Sequence, residues 1–157
     1  MNPAHPYPLK PVTGWEVIVT ARRFQHHVEV TLDRSLEHYA LTFAQYRALE
    51  LIARGRPIHV SELARRLRLT RQTVQVSVRK LYLLDLLDLE RDGNLSIVST
   101  SKVGRRRLPL YREAVADSIA SIERTLEHED RHRLVSLMRE ADEALRPAPT
   151  PPWWLED

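Results

Sequence analysis

Residues 71–84 carry the pattern that most restricts this chain, because the two sides of one helix differ in kind. At 100° per residue, Val74, Ser77, Val78 and Leu81 fall within roughly a 100° arc. Arg71, Gln72, Gln75, Val76 and Arg79 fall within about 140° on the other side. Thr70 precedes them as an N-cap, since its hydroxyl can accept from a first-turn amide. The apolar side has to find a core. The other side holds no carboxylate, and its guanidinium and amide groups suit guanine N7/O6 or adenine N6/N7 in a major groove. A helix that needed only solubility would more often mix Glu with Lys, so a solvated structural helix is the alternative reading.

The neighbouring segments limit what this helix can belong to. Ile18, Ala21, Phe24, Val28, Leu32 and Tyr39 recur at helical intervals and predict a long first helix. Thr42-Phe43-Ala44-Gln45 has capping-box form and opens a helix burying Phe43, Tyr46, Leu49 and Ile52, closed by Gly55 and Pro57. A short helix over 61–68 buries Leu63, Ala64 and Leu67. After 71–84, strands over 86–91 and 94–100 flank Asp92-Gly93, a hairpin signal. Ser101 then caps a helical stretch to about residue 127, in which Pro109 imposes a kink or marks the true start. A last helix over 130–145 buries Leu134, Leu137, Met138, Ala141 and Leu145. Three short helices followed by a hairpin give the order of a winged helix-turn-helix: mostly α, with a small β-hairpin wing.

Charge agrees with a polyanion-facing middle. Residues 58–107 hold eleven Arg or Lys against five Asp or Glu, which leaves thirteen against sixteen elsewhere. A solvated basic face is the plainer alternative. The absence of cysteine removes disulfides, thiolate metal sites and thiol redox sensing. No apolar run reaches the roughly 18 residues of a membrane span, and the first residues lack a signal-peptide core, so the expected compartment is the cytoplasm. Eight of the ten prolines lie within 1–11 or 147–152. The expected organisation is a Pro-rich arm at 1–11, a dimerisation helix in 12–40, a DNA-binding region in 41–100, dimerisation helices in 101–146, and a tail at 147–157 carrying Trp153 and Trp154.

Leu41-Thr42-Phe43-Ala44-Gln45-Tyr46, then Glu62-Leu63-Ala64-Arg65-Arg66-Leu67, then Leu69-Thr70-Arg71-Gln72-Thr73-Val74 resemble the MarR family of bacterial regulators. The likeness runs over about residues 41–107. It implies a homodimer with interlocking N- and C-terminal helices, a recognition helix in the major groove of double-stranded DNA, and a wing on the minor groove or backbone. It also implies release of DNA by a small, often aromatic, molecule, with Trp15, Phe24, Tyr39, Phe43 and Tyr46 as candidate walls of its site; such aromatics are otherwise core. Arg71, Gln72, Thr73, Gln75 and Arg79 become the expected DNA-reading residues. The chain departs from the family pattern twice. Its wing is cut to Asp92-Gly93 with Arg91 beside it, where an Asp-x-Arg tip is usual, and Val76 stands where arginine is common. Arg105, Arg106 and Arg107 are candidates for the missing backbone contacts, or else a solvated first turn; a basic run at a helix start opposes the macrodipole and calls for another reason to be there.

Val115, Ile119, Ile122 and Leu126, spaced by four, three and four, form a seam suited to helix–helix packing, which supports a two-fold dimer; ordinary intrachain core is the plainer alternative. A competing reading comes from His128-Glu129-Asp130-Arg131-His132, which fits the zinc-hydrolase pattern H-E-x-x-H. Its intervening residues are charged, it falls at an expected break between helices, and no substrate fold follows it. A metal sensor using His26, His27, His38, Glu29 and His128/His132 is a milder alternative, weighed against scattered surface histidines. No cofactor and no catalytic triad is indicated. A winged-helix protein-interaction module that has lost DNA binding is the runner-up.

Overall fold

Capping chemistry sets where the helices begin. The computed structural model describes residues 11–92 and 95–146, in two units, Met1–Ser118 and Ile119–Asp157. The arm apart from Pro11, the Gly93-Asn94 step and the Trp153-Trp154 tail lie outside the described residues. Thr13 closes a capping box with Glu16: the Glu16 amide donates to Thr13 Oγ1 at 3.2 Å, and the Thr13 amide donates to Glu16 Oε2 at 2.8 Å. This box opens α1, Gly14–Leu36; the Thr13-x-x-Glu16 spacing is a start signal that the sequence reading missed. A 3-10 turn, Glu37–Tyr39, follows, so Tyr39 lies beyond the first helix. The expected box at Thr42 and Gln45 opens α2, Phe43–Ala53, with bonds of 3.2 and 3.1 Å. Asp33 of α1 accepts from the Phe43 amide at 2.6 Å and fixes α1 to the start of α2.

α3 runs Val60–Leu67 and α4 runs Arg71–Leu83, the latter capped by Thr70 accepting from the Thr73 amide at 3.1 Å. The wing is three-stranded rather than a bare hairpin. β1 (Ile58–His59), β2 (Leu87–Asp92) and β3 (Leu95–Thr100) are antiparallel in the order β1-β3-β2. The two-residue β1 pairs Ile58 with Val98, and is too short for an alternation to reveal it. β2 pairs one residue further than expected, with Asp92 opposite Leu95, so the joining residues are 93 and 94.

α5, Lys102–Glu123, starts where Ser101 Oγ accepts from the Gly104 amide at 2.9 Å. It continues across Pro109, so the proline does not mark its start; the missing N–H leaves the Arg105 carbonyl without its helical donor. The core gathers Leu49 and Ile52 from α2, Leu63 from α3, Val74 and Leu81 from α4, Leu86 from the turn before β2, Val98 from β3, and Tyr111 and Val115 from α5.

In the second unit, α6 runs His128–Ala144 and has no fully buried residue. Leu137, Met138, Ala141 and Leu145, expected in a core, are exposed, and Leu134 is half-buried. The first half of α1 is likewise open, with Ile18, Ala21 and Phe24 exposed while Leu32 and Leu36 are buried. Helical periodicity marks these faces as apolar but does not say which surface, if any, covers them.

Candidate nucleic-acid interface

α4 turns its aliphatic ridge, Val74, Val78 and Leu81, into the core, and each of the three is at most 5% exposed. Arg71, Gln72, Thr73, Gln75, Val76 and Arg79 all face outward and are exposed. The two arcs read from the sequence are therefore the two sides of the folded helix. Lys80, absent from the expected set, is also exposed on the outward side, and the same angular count would have found it. No carboxylate lies anywhere in α4.

α3 supplies a contrasting arrangement. Glu62 accepts from Arg65 at 2.7 and 2.8 Å and from Arg66 at 2.7 Å. These hydrogen bonds, Arg65's first, bring the Glu62 carboxyl down to about 2. Its charge is thus spent on α3's own arginines, and the outward groups of α4 are not neutralised by it.

Around the wing, Arg91 is exposed on β2, with Ser96 opposite it on β3. Arg105 is exposed but donates to the Thr100 carbonyl at 2.6 Å, so part of its guanidinium holds the end of β3 against α5. Arg106 and Arg107 are exposed in the helix that follows. Sequence spacing alone gave no means of separating Arg105 from the other two.

The five aromatic candidates do not form one wall within a chain. Trp15 and Phe24 lie exposed on α1. Tyr39 meets Tyr111 edge-on at 5.0 Å, and Phe43 stacks on Tyr46 at 6.0 Å. Tyr46 donates to Glu50 at 3.0 Å, and burial together with this carboxylate pushes its phenol up to about 12. A cleft of 580 Å³ lies elsewhere, among the end of α1, the start of α2 and Lys80; Asp33, Arg34, Thr42 and Gln45 are in its lining and none of the five aromatics is.

The histidine motif differs from expectation in its local structure. His128 is the first residue of α6, so His128 and His132 share one helix instead of straddling a break, with rings 5.6 Å apart. Arg131, between them, donates back to the Glu123 and Leu126 carbonyls. Among the described residues no group of three or more His, Asp or Glu is placed to hold a metal ion. No described helix is long and apolar enough to cross a membrane.

Comparison with known proteins adds a family to this geometry. Residues 41–94 match the model of the MarR family. The chain carries a MarR-family winged-helix region. No curated protein sequence matches the chain significantly. Among solved structures, the fold resembles Sco5413, a MarR family transcriptional regulator from Streptomyces coelicolor, with a TM-score of 0.77 at 19% identity over 85% of this chain and 96% of that one. It also resembles a MarR family regulator from Rhodococcus sp. RHA1, with a TM-score of 0.73 at 13% identity over 84% and 96% of the two chains. MepR of S. aureus, solved in complex with DNA, matches with a TM-score of 0.73 at 16% identity over 86% and 100%. The match to the family model ends within the wing, at residue 94, and at 13–19% identity the solved structures show a likeness of fold alone.

Proposed function

We propose that this chain is a dimeric transcription regulator that lays α4 in the major groove of duplex DNA. One observation carries the reading: the outward side of α4 is exposed, basic and free of carboxylate while its opposite side is locked in the core. Arg71, Gln72, Thr73, Gln75 and Arg79 read or position the bases. Arg91, Arg106, Arg107 and the free part of Arg105 bind phosphates. The MepR–DNA complex, similar in fold, supports the choice of duplex DNA as partner.

Surfaces left open on one chain call for a second copy. Trp15, Val17, Ile18 and Val19 spread large apolar groups over an arc of about 200° on the first turns of α1, and each is exposed. An exposed apolar face this wide is one that another surface covers. α6 adds Val135, Leu137 and Met138, also exposed. Two-fold pairing would set the two α4 helices about 34 Å apart on a pseudo-palindromic site. A small aromatic effector is implied by the family resemblance alone.

A mobility-shift titration of the full chain on the DNA upstream of its own gene, over a range of salt, tests the proposal. The Arg71→Ala change is expected to weaken specific binding by about 1–3 kcal/mol. Each phosphate-contacting arginine removed should lower the salt slope by about one. Absence of any shift at low salt would sink the reading.

A further inference from the structure

Val76 stands out on the outward face of α4. The residue is 66% exposed, although valine is neither a strong helix former nor readily solvated. Counting 100° per residue, it points within about 15° of directly away from the ridge formed by Val74, Val78 and Leu81. Thr73 and Gln72 lie one turn before it, and Arg79 and Lys80 one turn after; all four are exposed and polar. An isopropyl group therefore occupies the most protruding point of a face otherwise built from hydrogen-bonding side chains.

Resting on the reading of α4 as a groove-binding helix, we infer that Val76 is a specificity residue that selects an A·T pair by packing on the thymine methyl. Whatever protrudes furthest from such a helix comes nearest to the base edges. Valine offers those edges no donor or acceptor. Opposite a guanine, cytosine or adenine edge it would strip water from a polar group and return no hydrogen bond. The one apolar group that the four bases show in the major groove is the C5-methyl of thymine. The neighbouring Gln72, 40° away around the helix, is placed to read an adjacent base by its amide. Leu83 lies on the same stripe two turns on and is 69% exposed, but it ends the helix, whereas base contacts come from the N-terminal part of a recognition helix.

The test begins with selection of binding duplexes by the full chain from a random-sequence pool. A T·A pair should recur at one fixed position in each half-site. Replacing that thymine by uracil removes one methyl and should weaken binding about four-fold per half-site. Val76→Ala, an exposed change to a better helix former, should bring the thymine-to-uracil ratio close to one. If duplexes are bound but uracil costs nothing at any recurring position, or its cost persists in Val76→Ala, the assignment of Val76 is wrong and the DNA reading stands. If the pool yields no bound duplex at low salt, both fall, and the Val76–Leu83 stripe becomes a surface for a protein partner.

Discussion

Gly104 decides how closely α5 approaches the wing. A Cβ at this position would sit 2.2 Å from the Leu86 carbonyl oxygen and 2.9 Å from Thr100 Cγ2. That carbonyl also accepts from the Ser101 amide at 3.1 Å, while the Ser101 hydroxyl donates to the Asp85 carbonyl at 2.5 Å. Two backbone segments are thus stitched together where only a hydrogen fits. Alanine would gain about 1 kcal/mol of helix propensity here, but overpacking against backbone costs about 1–3 kcal/mol, and a fixed carbonyl places it at the upper end. The Gly104→Ala protein should therefore unfold at lower urea than wild type with an unchanged m-value. An equal or higher midpoint would show that the α5 junction yields easily.

At the scale of elements, the Glu50 side chain ties α2 to α5. Glu50 is 7% exposed and accepts from Arg112 at 2.6 and 3.1 Å, with Tyr46 donating from the same helix. Arg112, ahead of the opposing effect of burial, holds the Glu50 carboxyl below its ordinary value of 4.5. Because the folded value is the lower one, the stabilisation is present in full above the ordinary value and is lost as pH falls through the folded value. Glu50→Gln should cost about 1.5–3 kcal/mol at neutral pH, toward the lower figure because the Arg112 side chain is half exposed. Urea midpoints of the variant and wild type should converge as the pH drops below 4.5. A difference that stays constant down to acid pH would assign the loss to packing instead. Neither Glu50 nor Arg112 announces this pairing in the sequence, since 62 positions separate them.

For the whole molecule, the open faces of α1 and α6 predict the association state. The full chain should sediment with twice the mass of one chain at micromolar concentration. Ile18→Glu and Leu137→Glu each put a charge on one of these exposed faces, and each should shift the protein toward the single-chain mass. Retention of helix by circular dichroism would separate dissociation from unfolding. A wild-type protein running as one chain would refute the dimer, and variants that keep the double mass would assign it to other surfaces.

Local chemistry was enough to place the α-helices, the wing hairpin and the two sides of α4. Capping hydroxyls, turn residues and a 3.6-residue period act within a few positions of one another, so Thr42, Thr70 and Ser101 could be read directly as helix starts. The same local logic set Val74, Val78 and Leu81 against Arg71, Gln72, Gln75 and Arg79. Features that need distant segments to meet came from the folded chain. Folding added the β1 edge to the wing, engaged Arg105 with Thr100, joined Glu50 to Arg112, separated the aromatic candidates, and left Leu137 and Met138 uncovered within one chain. Periodicity records that a side chain is apolar, but burial depends on which other surface arrives, and that surface is encoded elsewhere in the chain or in another molecule.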